Sequence, residues 1–229
     1  MFIGFIEAGI PFSVTIAFLI TSPLINEVAV VVFADALGLT LTATYIISGM
    51  AVGIIGGFVM EKLKLSRYVE GYVYDIKMGN LETDEEKLSF KQELKIALRY
   101  SLSIFKRIWL FVIIGIGLGA SIHGFVPQEF FTENLGKDNI LSVPLAVLSG
   151  IPLYSNATGI VPIAKALIEK GMAIGTVLAM MMSVVAISLP EMIILRQVLK
   201  PRLIFFFALY LFIAFVVLGY FYNYIFYLK

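Results

Sequence analysis

The sequence predicts an all-α protein that crosses a membrane several times, and three observations lead to that prediction. Hydrophobic residues make up 60% of the chain and charged residues 14%, whereas soluble domains carry roughly 25% charged residues. Mean hydropathy is +0.96. The apolar residues gather into segments of about 20 residues, the length that a helix needs to cross a hydrocarbon core about 30 Å thick.

Five segments reach spanning length, at 12–36, 39–60, 104–125, 173–198 and 203–227. Three further apolar pieces are too short to span alone, at 2–8, 140–149 and 159–168. The last two flank GIPLYSNAT (150–158), which is rich in turn formers and polar groups. This order predicts broken helices and a re-entrant hairpin that enters and leaves the membrane on one side.

The polar segment 61–107 holds ten of the 17 Lys and Arg residues and eight of the 16 Asp and Glu residues. It divides the chain into a first transmembrane repeat (1–60), a loop (61–103) and a second repeat (104–229). Apolar residues recur at helical spacing among its charges, which predicts an amphipathic helix: Leu88, Leu94, Ala97, Leu98 and Leu102. Such a helix can lie on the membrane surface or pack on the cytoplasmic face of the protein.

Basic residues beside the spans predict the orientation of a multi-pass protein of the cell membrane. Those around segment 61–107 place it in the cytoplasm: Lys62, Lys64, Arg67, Lys106 and Arg107. The cluster at 196–202 takes the same side if 140–169 enters and leaves from outside. Lys165 and Lys170 then lie near the outer face, against the usual bias.

The two halves of the chain carry a weak internal repeat. FIEAGIPFSVTIAFLITSPLINEVAVVVF aligns with LIEKGMAIGTVLAMMMSVVAISLPEMIIL, and two pairs share an offset of 162: Glu7 with Glu169, and Gly9 with Gly171. Each copy runs from a half-helix through an E-x-G turn to an interrupted span, a short turn and a closing span. The predicted orientation makes the copies inverted, as in many secondary transporters. The first copy has no counterpart of 104–149, so a missing start or a separate subunit is expected.

Both copies place a proline and a carboxylate inside a span, in SPLINE (22–27) and in SLPE (188–191). An ionisable group deep in a span costs at least a few kcal/mol and is a functional-site hypothesis by default. Proline also leaves a backbone carbonyl without its helical donor. We therefore expect a substrate or coupling-ion site that comprises Ser22, Asn26, Glu27, Ser188 and Glu191. The alternative is a pair of kinked structural helices, and the recurrence of the feature favours function.

The loop GIPLYSNAT is a third candidate part of the site. At the tip of a re-entrant hairpin it would present Tyr154, Ser155, Asn156 and Thr158 to the pore axis. The half-helix after it would point its N-terminus at the same place, which suits an anionic group. A purely structural turn is the alternative.

Several function classes are excluded by composition. The chain has no cysteine and a single histidine, His123, so disulfides, iron–sulfur centres and thiolate or histidine metal sites are not expected. With a net charge of +1 and no basic tail or basic face evident in the sequence, nucleic acid is not an expected partner. No P-loop, H-E-x-x-H or G-x-S-x-G motif occurs, so neither an enzyme nor a cofactor is predicted. Glycine faces at Gly49, Gly53 and Gly57, and at Gly115 and Gly119, indicate helix packing.

At SPLINEVAVV, GIPLYSNATGIVPIAKALIEKG and SLPEMIILRQVLKPRL, the sequence resembles the predicted-permease family that includes the organoarsenical efflux permeases. The resemblance covers nearly all of 1–60 and 100–227. It implies a membrane permease that exports a small solute, with organoarsenical or other metalloid compounds as the candidate class. Members similar to this chain carry a CSC-type motif just before the segment matching MFIGFIEAGIP. This chain begins after that point, which puts thiolate capture of arsenic by this chain alone in doubt.

Two hypotheses follow from the sequence. The first is secondary-active export across the lipid bilayer, in which Glu27 and Glu191 handle protons or charge. The second is a non-transporting membrane subunit or partner of a split permease, motivated by the incomplete first repeat. A homo-oligomer or a complex with a second membrane chain is open under both.

Overall fold

The computed structural model describes residues 2–25, 27–71, 73, 141–153 and 155–227, together with positions 91, 92, 94, 95, 98, 99, 102, 106, 109, 110 and 113. Within these residues the chain forms α-helices and no strand, which confirms the all-α prediction. The first four helices are α1 (Phe2–Glu7), α2 (Phe12–Leu24), α3 (Glu27–Leu37) and α4 (Leu39–Lys62), followed by a 3₁₀ turn at Leu65–Tyr68. The others are α5 (Ser142–Gly150), α6 (Ala157–Glu169), α7 (Ile174–Ala186), α8 (Leu189–Leu195) and α9 (Pro201–Tyr227).

Three stretches of the described chain are long and apolar enough to cross a membrane: α4, the α7–α8 pair and α9. The pair α2 and α3 makes a fourth candidate, with its two helices inclined at 46° to each other. These four match four of the five predicted spans. The predicted span 104–125 lies outside the described residues, except at four isolated positions, and so do Gly115, Gly119 and His123.

Helices α5 and α6 are too short to cross the membrane. They have 9 and 13 residues, or about 14 and 20 Å of helix against a core about 30 Å thick. Both pack against α7, and α6 also packs against α3. The two half-length pieces predicted around GIPLYSNAT are therefore present as helices that pack against other helices of the described protein.

Helix α7 is the central element of the described structure. The spanning window that includes it is 72% buried, compared with 44% for α4 and 28% for α9. It contacts α2, α5, α6 and α9. Large apolar side chains on the outer faces of α4 and α9 remain exposed, among them Ile47, Phe58, Phe205 and Ile213. Since such faces would be unstable in water, they are surfaces for lipid.

The glycine face of α4 packs closely against α2, as the sequence predicts. A Cβ atom at Gly53 would lie 3.0 Å from the carbonyl oxygen of Ala17, and one at Gly57 would collide with the carbonyl of Ser13. Helix backbones can approach this closely only where the facing residues are small. Glycine therefore sets the distance between the two helices.

The two proposed copies share local geometry. Helices α2 and α7 each have 13 residues, and their first residues, 12 and 174, and last residues, 24 and 186, both differ by 162. The helices before them end alike, since Gly9 and Gly171 have φ of 73° and 92°. Ile10 N–H donates to Phe5 O at 3.0 Å, and Met172 N–H donates to Leu167 O at 3.1 Å. Each E-x-G turn is thus a Schellman helix end that needs glycine, whereas inversion of the copies stays a prediction.

The described positions of the polar loop include part of the expected amphipathic helix. Lys91, Leu94, Lys95, Leu98, Arg99 and Leu102 have helical backbone. The three leucines are 49%, 55% and 54% exposed. Their apolar face is not buried against the described part of the protein, and its contact with the membrane surface or with the cytoplasmic face stays a prediction.

Candidate functional site

The second span is broken between α7 and α8, at Ile187 and Ser188. Ser188 is fully buried, and its hydroxyl has no hydrogen-bond partner among the described residues. A buried polar group left unpaired costs about 1–3 kcal/mol. Pro190 has no N–H to donate to the carbonyl of Ala186, so the break exposes acceptors as well. Glu191 follows in the first turn of α8 and is half-buried.

The loop after α5 is joined to this break. The N–H of Leu189 donates to the carbonyl of Ile151 at 2.9 Å. Six residues earlier, the hydroxyl of Ser183 donates to the carbonyl of Val147 at 2.6 Å. A Cβ atom at Gly150 would lie 2.9 Å from the carbonyl oxygen of Met180, so α5 and α7 are in close contact. The structure therefore brings the start of GIPLYSNAT to the break that contains Ser188.

The polar residues of that loop have structural partners. The side-chain oxygen of Asn156 accepts from Gly159 N–H at 2.6 Å and caps the N-terminus of α6. The hydroxyl of Ser155 donates to the Asn156 carbonyl at 3.2 Å. Tyr154 lies outside the described residues. Asn156 thus fixes where α6 begins, and binding by this loop stays a prediction.

The first break places its polar residues on an open groove. Ser22 is exposed on α2 beside Pro23, and Glu27 is exposed at the start of α3; Asn26 lies outside the described residues. The groove has a volume of about 550 Å³, and its walls include Ser22, Glu27, Met50 and Ile54.

The described site residues lie in two groups, one at each break, and a single site formed by both groups stays a prediction. Neither Ser188 nor Glu191 is among the described residues that line the groove of Ser22 and Glu27. The helices that carry the two groups do meet, since α2 packs against α7 and α3 against α6. No cluster of three His, Asp or Glu side chains suited to a metal ion occurs within the described ranges.

Asn223 makes a polar contact between two helices that was not predicted from the sequence. The side-chain oxygen of Asn223 on α9 accepts from Gly175 N–H at 2.7 Å and from Thr176 N–H at 3.2 Å. Its amide group donates to the Thr176 hydroxyl at 3.1 Å. The first N–H groups of a helix have no acceptor within the helix. The side-chain oxygen of Asn223 is the acceptor for two of them in α7. A single amide in an otherwise apolar span was the available signal.

Tyrosines join α9 to α4. The hydroxyl of Tyr210 donates to the carbonyl of Val52 at 2.7 Å, and the hydroxyl of Tyr222 is hydrogen-bonded to that of Ser48. The hydroxyl of Tyr45 is buried with no partner among the described residues. These bonds fix the rotation of α9 against α4, because apolar packing alone is tolerant of small shifts.

Comparison with known proteins places the chain. A family model described as predicted permease (ArsP_1) matches residues 1–224. The UPF0718 protein MJ0584 of Methanocaldococcus jannaschii is 30% identical over 114 residues, which are 49% of this chain and 31% of the relative. The aligned part is therefore about a third of that relative's length, and no solved structure shows a significant match. With a match across nearly its whole length and membrane-spanning apolar helices, the chain belongs to the predicted permease family.

Proposed function

We propose that this chain forms the translocating part of a secondary-active permease that exports a small solute, with organoarsenical or other metalloid compounds as the candidate class. The observation that carries the proposal is the buried hydroxyl of Ser188, which has no partner among the described residues and lies in a broken span bonded to the loop after α5. In transporters, discontinuous helices of this kind hold the substrate or coupling ion near the membrane midplane.

The chemistry of the break suits reversible binding. The Ser188 hydroxyl and the Ala186 carbonyl lie where no helical bond uses them, and Glu191 is within one turn. In a low-dielectric interior a ligand that supplies the missing hydrogen bonds is held firmly. Glu191 then couples transport to a gradient by binding and releasing a proton, and Glu27 does so in the first copy. Equal helix lengths and similar glycine turns support two copies of one repeat.

Export by carboxylate variants tests this proposal. In everted vesicles energised by a proton gradient, uptake of an organoarsenical compound should fall at least tenfold for Glu27→Gln combined with Glu191→Gln. Asp35→Asn is the matched control, because Asp35 is an exposed carboxylate on the same helix as Glu27. Wild-type uptake by the double variant would reject the role of the two carboxylates.

The same vesicles report orientation. We infer that segment 61–107 faces the cytoplasm, because Arg67 and Arg196 lie together at one end of the described structure and cations favour the cytoplasmic side. Trypsin added outside everted vesicles should therefore cut this segment. Protection of the segment in everted vesicles would overturn the inferred orientation.

A non-transporting subunit of a split permease is the second candidate. The observation that favours it is the open groove of Ser22 and Glu27, which the described residues leave uncovered. This function predicts no solute flux when the chain is reconstituted alone and co-purification of a second membrane chain from its native membrane.

A further inference from the structure

A basic groove lies where α4 ends and α9 begins. It has a volume of about 570 Å³. Its described walls are Arg67, Tyr68, Glu70, Arg196, Lys200, Pro201 and Arg202. Four cationic side chains and one carboxylate give it a net charge of +3 at neutral pH. The proposed translocation site uses none of these residues.

The backbone on both sides of the groove is held in place. Glu70 N–H donates to the Val198 carbonyl at 2.9 Å, and Lys200 N–H donates to the Tyr68 carbonyl at 2.8 Å. These bonds flank an antiparallel bridge between Val69 and Leu199, both of which are buried. The cationic residues are therefore carried by two segments whose backbones are hydrogen-bonded to each other. The binding groove is thus preorganised before a ligand arrives.

Tyr68 organises the charges. The guanidinium of Arg67 lies 4.9 Å from the centre of the Tyr68 ring and that of Arg202 lies 5.8 Å away, both within range of cation–π attraction. The hydrogen bond with Arg202 lowers the pKa of the Tyr68 hydroxyl below its usual value, and the charge of Arg67 acts in the same direction.

One of the cations is already neutralised. Arg196 is paired with Glu70 at 3.0 Å. Arg67, Lys200 and Arg202 face the groove without a carboxylate of their own among its described walls.

Exposed apolar side chains lie about one helical turn from the groove, on the two helices that meet there. Phe205 is 62% exposed and lies three residues after Arg202 on the same face of α9. Phe58 is 66% exposed and lies one turn before the end of α4 at Lys62. A ligand that fits both parts is charged at one end and apolar at the other. That chemistry distinguishes an anionic phospholipid from a free phosphate ion.

We propose that this groove binds the phosphate headgroup of an anionic phospholipid, with Arg67, Lys200 and Arg202 around the phosphate and the acyl chains along Phe205. The bound lipid joins the end of the first copy to the start of the closing helix of the second. The lipid thereby stabilises the antiparallel bridge between Val69 and Leu199.

Lipid titration of the purified chain tests the proposal. In dodecylmaltoside micelles, dioleoylphosphatidylglycerol should raise the unfolding temperature by several degrees, followed by circular dichroism, and native mass spectrometry should show retained lipid. Dioleoylphosphatidylcholine should do neither. The variant Lys200→Gln with Arg202→Gln should lose at least half of the shift, and raising salt to 0.5 M should weaken it for the wild type.

Matched variants make the result specific. Lys62→Gln with Lys64→Asn removes two exposed charges near the end of α4 that do not line the groove, so it should keep the full shift. Arg67→Gln is a second groove variant that leaves α9 unchanged. Three results would each overturn the proposal. These are an equal rise in unfolding temperature with both lipids, the full rise in both groove variants, and the full rise with millimolar inorganic phosphate alone.

Discussion

Asn223 shows how one side chain can decide the packing of two membrane helices. Its side-chain oxygen accepts from the N–H groups of Gly175 and Thr176, and its amide group donates to the hydroxyl of Thr176. Close contact is possible because Gly175 and Gly219 have no side chains, and a Cβ atom at Gly219 would lie 2.9 Å from that of Ala179. Thr176 is fully buried, so a lost partner at its N–H is not readily replaced by water.

Replacing Asn223 by leucine should therefore destabilise the protein by about 1–3 kcal/mol, because two helix-terminal N–H groups are left unpaired. Urea unfolding in detergent, followed by circular dichroism, measures the change. Tyr224→Phe, at a neighbouring side chain that is 72% exposed, should have an effect near zero. Equal stability of Asn223→Leu and wild type would show that the carboxamide contributes nothing.

At the same scale, sequence and structure assign different tasks to polar residues. The sequence predicts binding for Asn156 and Ser188 alike. The structure gives Asn156 a capping bond to Gly159, and it leaves Ser188 buried without a described partner. Both occur beside turn formers in the sequence, so only the position of neighbouring backbone separates the capping residue from the candidate ligand.

At the scale of elements, the contact between α2 and α4 depends on glycine. The carbonyl of Ser13 occupies the space where a side chain at Gly57 would be, and Ala17 Cβ is 3.3 Å from the same point. Neither backbone can move away without separating the two helices along their whole contact.

Gly57→Ala should thus cost about 1–3 kcal/mol, the usual range for inserting a methyl group into a packed interior. Thermal unfolding in detergent is the measurement. Gly4→Ala is the control, since a Cβ atom at Gly4 meets nothing within 4 Å. If both variants have the same unfolding temperature as the wild type, the close approach of α2 and α4 is not required for stability.

The helix breaks were predictable as elements because proline chemistry is local. Pro23 and Pro190 lack the N–H that would continue the helical ladder, and the structure ends α2 at Leu24 and begins α8 at Leu189. Their surroundings were not predictable. Ser188 is enclosed by packed helices, whereas Ser22 and Glu27 face an open groove.

At the scale of the whole molecule, the end of the first copy is joined to the second by the bridge between Val69 and Leu199. The bonds on either side of it make these two residues a non-hydrogen-bonded antiparallel pair. Such pairs have Cα atoms about 4.5 Å apart, which lies within the range that a disulfide needs.

Val69→Cys with Leu199→Cys should accordingly form an intramolecular disulfide under mild oxidation. The chain has no cysteine of its own, so a mobility shift on non-reducing gels reports this bond alone. Each single variant should show no shift, and the oxidised double variant should gain about 2–4 kcal/mol of stability. Failure of the double variant to oxidise would mean that these segments do not meet.

The sequence by itself determined that this protein is all-α and membrane-embedded, about where its described spans begin and end, and that two of them are broken. Those features depend on composition, on the length needed to cross a bilayer and on local proline and glycine chemistry. Only the tertiary structure decided that α7 is central, that Asn223 caps it and that Arg67 shares a groove with Lys200 and Arg202. Each of these features depends on contacts between residues far apart in the chain. Local sequence patterns do not specify which distant segments contact each other.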